Sequence, residues 1–402
     1  MYELLLIIPI FFVYKLYLRT WNTKSIDHIS LIFLIWLIAS FCGFLYSNSN
    51  ILYQGKGSIN IESIVYMLLM FHITMHPIQK SCILTSQNYI TENSSIIVWA
   101  MYILAVCSFL PFLENILHLG SGNTIFTLSD NYGAQELTAS FDARAHMSWL
   151  GARLNSVTLL CKYITPILLM NYLSCLKKKK KWVIIGLIMG IFNPAIYMFN
   201  MGSRWVAIED ILFFIFLYLL YKKIIPSQIS RYIQFIFISI GCILTIGIIS
   251  ITIGRFENTD YSLNEWLYRY IGEGFANFST DMWYVNHTSN GMHIFRTFYD
   301  NAITKLNDLM GIRMYVFYTY IGDFFADWGT IGCFLICLIL GMIGKKIFSF
   351  NTYKIYNVFV CSMYCKIFLT GFMYLPYINT LPALTIASIF FFLCKCNSKV
   401  FK

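Results

Sequence analysis

Asp323 and Asp327 stand four residues apart in Tyr318-Thr-Tyr-Ile-Gly-Asp-Phe-Phe-Ala-Asp-Trp-Gly-Thr-Ile-Gly332. A helix through them carries both carboxylates on one face. Two carboxylates held close push one pKa up, and that group becomes a base for a hydroxyl proton. The same spacing suits an acid pair stabilised at a helix N-terminus, and both readings stand. His146, two residues after Arg144, is a second candidate base, although a lone histidine is also a common structural residue. His287 and His293 lack the spacing of a metal-ligand set, and no metal is expected.

Guanidinium groups supply the other half of such chemistry. A planar guanidinium grips a phosphate with two hydrogen bonds, where an ammonium is a hydrated point charge. Arg144, Arg153, Arg204, Arg255, Arg269, Arg296 and Arg313 fall on the side of the apolar runs opposite the lysine clusters; only Arg19 and Arg231 fall with the lysines. That partition runs against the orientation bias of basic residues. It points to an anionic ligand near the headgroups, a pyrophosphate in particular. Pairing with Glu257, Asp260 or Glu273, or with lipid phosphate, is the competing account. Arg204 is the most specific case, in the turn Met201-Gly-Ser-Arg-Trp205. Gly202 permits the bend, and the helix that begins there offers free N–H groups to an anion. Glu209 and Asp210 follow one turn below and could orient Arg204. Lys162 and Lys366 lie within apolar runs. They mark function, or they snorkel or pair with Glu209 or Asp210.

These residues need a scaffold, and composition says which kind. The 402 residues are 58% hydrophobic, 18% aromatic and 12% charged, against about 25% charged in soluble domains. Most of the surface therefore faces lipid. The net charge of +10 sits largely in short lysine clusters between apolar runs, which serves membrane orientation and excludes nucleic acid as the partner. The expected fold is all-α, a polytopic helix bundle forming one integral membrane domain over 1–402. About 11 runs approach the length of a transmembrane helix: 3–18, 29–45, 61–75, 95–113, 154–175, 182–199, 205–221, 232–254, 325–343, 355–375 and 378–394. The first lacks a basic flank and a cleavage site, so it reads as a retained helix. The twelve cysteines lie in apolar runs or near the lysine side, which argues for core thiols rather than a disulfide framework.

The lysines at 177–181, 222–223, 345–346 and in the tail fall on one side if the helices alternate, and that side is the cytoplasm. Two long loops, 114–153 and 255–324, then face outward and are expected to be partly helical. Ser262 and Glu265 form a capping box ahead of 266–271. A second amphipathic helix is expected over 294–310, stopped by Gly311.

At two windows the chain resembles the Wzy-type O-antigen polymerases of bacteria. One is Asn200-Met-Gly-Ser-Arg-Trp205; the other is Tyr320-Ile-Gly-Asp-Phe-Phe-Ala-Asp-Trp-Gly329. Trp205 departs from the small residue that often follows the family's Gly-Ser-Arg. Arg296 before Gly311 and Arg144 before Gly151 are similar to its Arg-to-Gly pattern without matching its spacing. The resemblance implies a glycosyltransferase of the inner membrane with its site facing the periplasm. It would join oligosaccharide repeat units carried on undecaprenyl pyrophosphate and need no cofactor. Arg204, Arg255, Arg269, Arg296 and Arg144 would neutralise the pyrophosphate, and Asp323, Asp327 or His146 would take the acceptor proton. Whether a polysaccharide chain-length regulator binds stays open. The related O-antigen ligase shares the plan. A lipid-linked oligosaccharide flippase is the rival from another class, favoured by Lys162 and Lys366. A receptor or scaffold is a third class, with loops too short for an obvious separate domain.

Overall fold

A computed structural model of the chain describes residues 2–48, 57–81, 83–92, 94–120, 146–175, 179–200, 204–235, 263–299, 301–312, 317–378 and 380–400. In chain order the main helices are α1 (Ile7–Thr23), α2 (His28–Ser47), α3 (Ile61–Met75), α4 (Ser95–Cys107), α5 (Phe109–Gly120), α6 (Trp149–Leu160), α7 (Ile164–Ser174), α8 (Lys181–Asn200) and α9 (Arg204–Tyr221). They continue with α10 (Leu263–Thr280), α11 (Ala302–Met310), α12 (Thr319–Ile347), α13 (Ile355–Thr370) and α14 (Leu381–Val400). The described residues hold no strand, only a single bridge between Tyr89 and Tyr353.

Among the described residues, six helical segments are long and apolar enough to cross a membrane, and a seventh if the bent pair α6–α7 counts as one span. That supports a helical membrane protein but not the expected count of about 11. The run at 154–175 is bent by 74° between α6 and α7. Residues 236–254 of another run lie outside the described residues. Helix α13 and the apolar part of α14 are shorter than a span.

The chain divides into two compact units. The first comprises Met1–Ile83, Asp260–Phe350 and Val360–Leu381; the second comprises Leu84–Thr259, Asn351–Phe359 and Pro382–Lys402.

In the first unit, Asp27 caps α2 by accepting from the Ser30 N–H at 2.9 Å, and it also pairs with Arg19 of α1. Arg19 donates further to the carbonyls of Gln79 and Ser81, so one buried guanidinium ties the α1–α2 turn to the segment after α3. The core is aromatic. Trp36 is surrounded by Phe12, Phe71, Phe275, Tyr320 and Phe372, with ring centroids 4.7–6.3 Å away, and its indole N–H donates to the Phe368 carbonyl. Such ring pairs favour edge-to-face and tilted arrangements.

Helix α10 falls in the stretch read as an outer loop, yet it packs along α2. At the crossing a side chain on Gly272 would lie 2.1 Å from the Gly43 nitrogen, so only glycine permits this approach. The expected helix over 294–310 starts later, at Ala302, and Arg296–Phe298 is a 3-10 turn. Side-chain bonds hold the earlier residues elsewhere: the Ile294 N–H goes to Asp327, and the Thr297 hydroxyl to the Ile378 carbonyl. Gly311 does end α11, in the left-handed conformation at φ +60°.

Helix α12 is two limbs, 319–328 and 330–347, broken at Gly329 with φ +64° and ψ −167°, a region essentially reserved for glycine. The chain reverses there. Cys333 reaches the carbonyl of Ile321 at 3.6 Å, whereas twelve residues of straight helix span about 18 Å. The first limb is buried from Thr319 to Asp327. This corrects the expected continuous span at 325–343: its first residues belong to a buried hairpin limb.

In the second unit, polar side chains link α5, α6 and α8. Asn193 donates to Asn155 at 2.8 Å and to Thr158 at 2.6 Å, and accepts from Asn115 at 2.9 Å. Lys162, at the bend between α6 and α7, pairs with Asp210 of α9 at 3.0 Å. Asn193→Ala would leave three buried groups short of a partner. We expect it to lower thermal stability in detergent by about 1–2 kcal/mol, the range for unpaired buried polar groups and for interhelical hydrogen bonds in membranes. An unchanged melting temperature would refute that role.

Candidate functional site

The two aspartates of the first limb have different partners. Asp327 is saturated. Its Oδ1 accepts from the Ser289 hydroxyl, the Gly291 N–H at 3.1 Å and the His293 N–H at 3.0 Å, and its Oδ2 accepts from the Ile294 N–H at 2.9 Å. The segment 289–294 curls round it with Asn290 (φ +50°) and Gly291 (φ +92°) in the left-handed region, which turns the N–H groups of Gly291, His293 and Ile294 inward, a backbone nest for an anion. The same segment caps the end of the limb: the Ser289 and Asn290 N–H groups donate to the carbonyls of Ala326 and Asp327. Asp327 is therefore placed to organise a loop rather than to receive a substrate proton.

Asp323, one turn earlier, faces a side chain that this loop delivers. Its Oδ1 lies 2.7 Å from His293 Nε2, with His293 and Asp323 each 3% exposed. Its Oδ2 accepts from the Leu375 N–H. A carboxylate oxygen accepts, so Nε2 of His293 is the donor in this contact, and in the neutral ring Nδ1 is left as the acceptor. That Nδ1 is buried and has no hydrogen-bond partner among the described residues. The arrangement is an imidazole oriented by a carboxylate, a geometry in which a base can be held.

A cation stands beside the dyad. Burial lowers the pKa of Arg296, while the nearby charges of Asp323 and the Tyr374 phenol raise it. The N-terminus of the limb is anchored too, with the Thr319 and Tyr320 N–H groups donating to the carbonyls of Met373 at 3.0 Å and Gly371 at 2.8 Å. Thr319 itself has φ +67°, an outlier for a β-branched residue that these bonds over-determine.

The remaining sequence candidates fall as follows. Arg269 is engaged with Glu273 at 3.1 Å and lies over the Trp266 ring at 4.9 Å, and Glu273 also accepts from the Phe317 N–H. Pairing within α10 is thus its observed state. Arg204 opens α9 in the second unit. Arg144, Arg255 and Arg313 lie outside the described residues, as do Met201, Gly202 and Ser203 of the Gly-Ser-Arg turn and Ser262 of the capping box. Asp210, considered above as a partner for Arg204, pairs with Lys162.

His146 belongs to the second unit. Its Nε2 is 3.2 Å from Asn115 Oδ1, and its ring stacks on His118 with centroids 3.9 Å apart. Burial lowers its pKa, the neighbouring His118 lowers it further, and Glu114 raises it. No group of three or more His, Cys, Asp or Glu among the described residues is placed to hold a metal ion.

Sequence reasoning named His293 but did not choose it as the base. The available signal was Asn290-Gly291, a strong turn dipeptide, just ahead of a histidine. No protein-family model, curated protein or solved structure matches this chain.

Proposed function

We propose that the chain is a membrane glycosyltransferase that joins oligosaccharide repeat units carried on undecaprenyl pyrophosphate, at the periplasmic face of a bacterial inner membrane. The observation that carries this reading is the buried His293–Asp323 dyad beside Arg296, in a chain rich in apolar helices. His293 Nδ1 takes the acceptor hydroxyl proton as that oxygen bonds to the anomeric carbon of the donor. The anomeric C–O bond breaks, and its electron pair leaves on the pyrophosphate. Arg296 supplies positive charge for that leaving group. Asp323 holds the imidazole and stabilises the imidazolium, and Asp327 positions the loop. Arg269, in the same unit, becomes a further candidate for the pyrophosphate if it releases Glu273. The O-antigen resemblance and the outward arginines support the same assignment.

Deleting the gene tests it by a gel of surface polysaccharide. A ladder that collapses to a single capped unit is expected; an unchanged ladder refutes polymerisation. Loss of all glycan on the lipid core, with polymer still made, would indicate the ligase instead.

One observation favours a transporter: Lys162 and Asp210 form a buried ion pair at a 74° helix break, and broken helices with intramembrane charge mark transport paths. Lys162→Met with leaflet-resolved assay of lipid-linked intermediates separates the two. A flippase traps single units on the inner leaflet, and a polymerase lets them reach the outer one.

A further inference from the structure

A second basic site lies elsewhere in the first unit. Lys15 of α1 is 3% exposed, yet the polar contact of its ammonium is with a neutral-capable ring, His72 Nδ1 at 3.3 Å. It also lies 5.2 Å from the centroid of the Phe11 ring. His76, the residue that caps the end of α3, follows one turn later and stacks on His72 with centroids 5.6 Å apart. The charges acting on His72 come from Lys15 and His76, and those acting on His76 come from Lys15, Lys80 and Lys345. All are basic. They gather where α1, α3 and the second limb of α12 run together: Gly341 packs on Ile73 and Gly344 on Pro77. His72, His76, Lys80 and Lys345 are exposed around the buried ammonium.

A buried cation without an anion is costly, and like charges placed together add to that cost. The arrangement becomes favourable when an anion sits among them. The surrounding surface is apolar helix, and the lysine bias puts these helix ends at the headgroup level of the cytoplasmic leaflet. Basic pockets between transmembrane helices at that level take lipid phosphate.

We infer that Lys15, His72 and His76, with Lys80 and Lys345 at the rim, bind the headgroup phosphate of an anionic glycerophospholipid of the bilayer. The phosphate accepts from the Lys15 ammonium and from the imidazole N–H groups, and the acyl chains lie along the apolar flank of α3. The site is separate from the dyad and stands whether or not glycans are the substrate.

The test uses the full chain in detergent, delipidated and exposed to phosphatidylglycerol or phosphatidylcholine, with retained lipid counted by native mass spectrometry. Wild type is expected to retain phosphatidylglycerol in preference to phosphatidylcholine. Lys15→Met is expected to weaken retention by about fivefold, and adding His76→Gln by about fivefold again, the scale of one basic group at a charged lipid surface. Lys15→Arg should keep retention. Lys354→Gln, which removes a lysine already paired with Glu92 at 3.6 Å, should leave it unchanged and controls for net charge. Equal retention of the two lipids by wild type, or undiminished retention by a folded Lys15→Met, would overturn the assignment. Displacement of the lipid by inorganic phosphate alone would overturn its lipid source.

Discussion

His293→Gln should silence glycan joining while the protein still inserts and folds. Glutamine keeps a donor for Asp323 but has no basic nitrogen. The loss is therefore chemical, about 10²–10⁴-fold for a removed general base. Asp323→Asn should cost a similar factor by another route. An asparagine can donate to Nε2 and so favours the tautomer in which Nδ1 holds the proton and cannot accept one. Arg296→Lys tests the cation separately: it keeps charge but not the planar fork. Partial activity in Arg296→Lys, with none in His293→Gln, fits these roles. The measurement is polymer length from lipid-linked repeat units supplied to the reconstituted full chain, with melting temperature as the folding control. Full activity in His293→Gln with an intact melting temperature would remove the dyad from the mechanism.

The dyad was half visible in the sequence. Spacing put Asp323 and Asp327 on one face, and they do share it. What spacing could not say is that the face turns toward 289–294, because that pairing joins residues 30 or more apart through tertiary structure. The charged residues of α10 misled in a physical way. Glu265, Arg269 and Glu273 recur every four residues, which makes one polar stripe and lowers hydropathy enough to suggest a loop. Yet the second half of the helix, residues 272–280, is buried throughout, Glu273 included. Hydropathy averaged over the helix concealed that packed half. The reversal in α12 was concealed by the opposite effect. Both limbs are apolar, so the window through 325–343 reads as continuous. Only Gly329 between Trp328 and Thr330 marked a break, and glycine alone does not distinguish a kink from a helix contact.

The same geometry makes Asp327 the residue on which the site's assembly most depends. Asp327→Ala would strand the N–H groups of Gly291, His293 and Ile294 and leave the Ser289 hydroxyl with only the Ala326 carbonyl at 3.2 Å. At about 1–3 kcal/mol for each buried group left unsatisfied, even partial rehydration leaves a loss of about 3–5 kcal/mol locally. The loop then releases its nest, and His293 leaves Asp323. Asp327→Asn retains one acceptor oxygen and should fall between wild type and alanine. Gly329→Ala attacks the same assembly from the turn. Its φ of +64° with ψ −167° costs a β-carbon-bearing residue about 1–3 kcal/mol, and the reversal that brings 319–328 under the loop is strained. Hydrogen exchange separates a positioning role from a chemical one. Asp327→Ala should raise exchange at 289–294 while the helices α1–α3 stay protected, and polymer formation should fall with it. His293→Gln should abolish polymer without raising exchange at those amides. If Asp327→Ala left the loop amides as protected as in wild type, the carboxylate would not be what holds them, and its place as the organiser of the site would be lost.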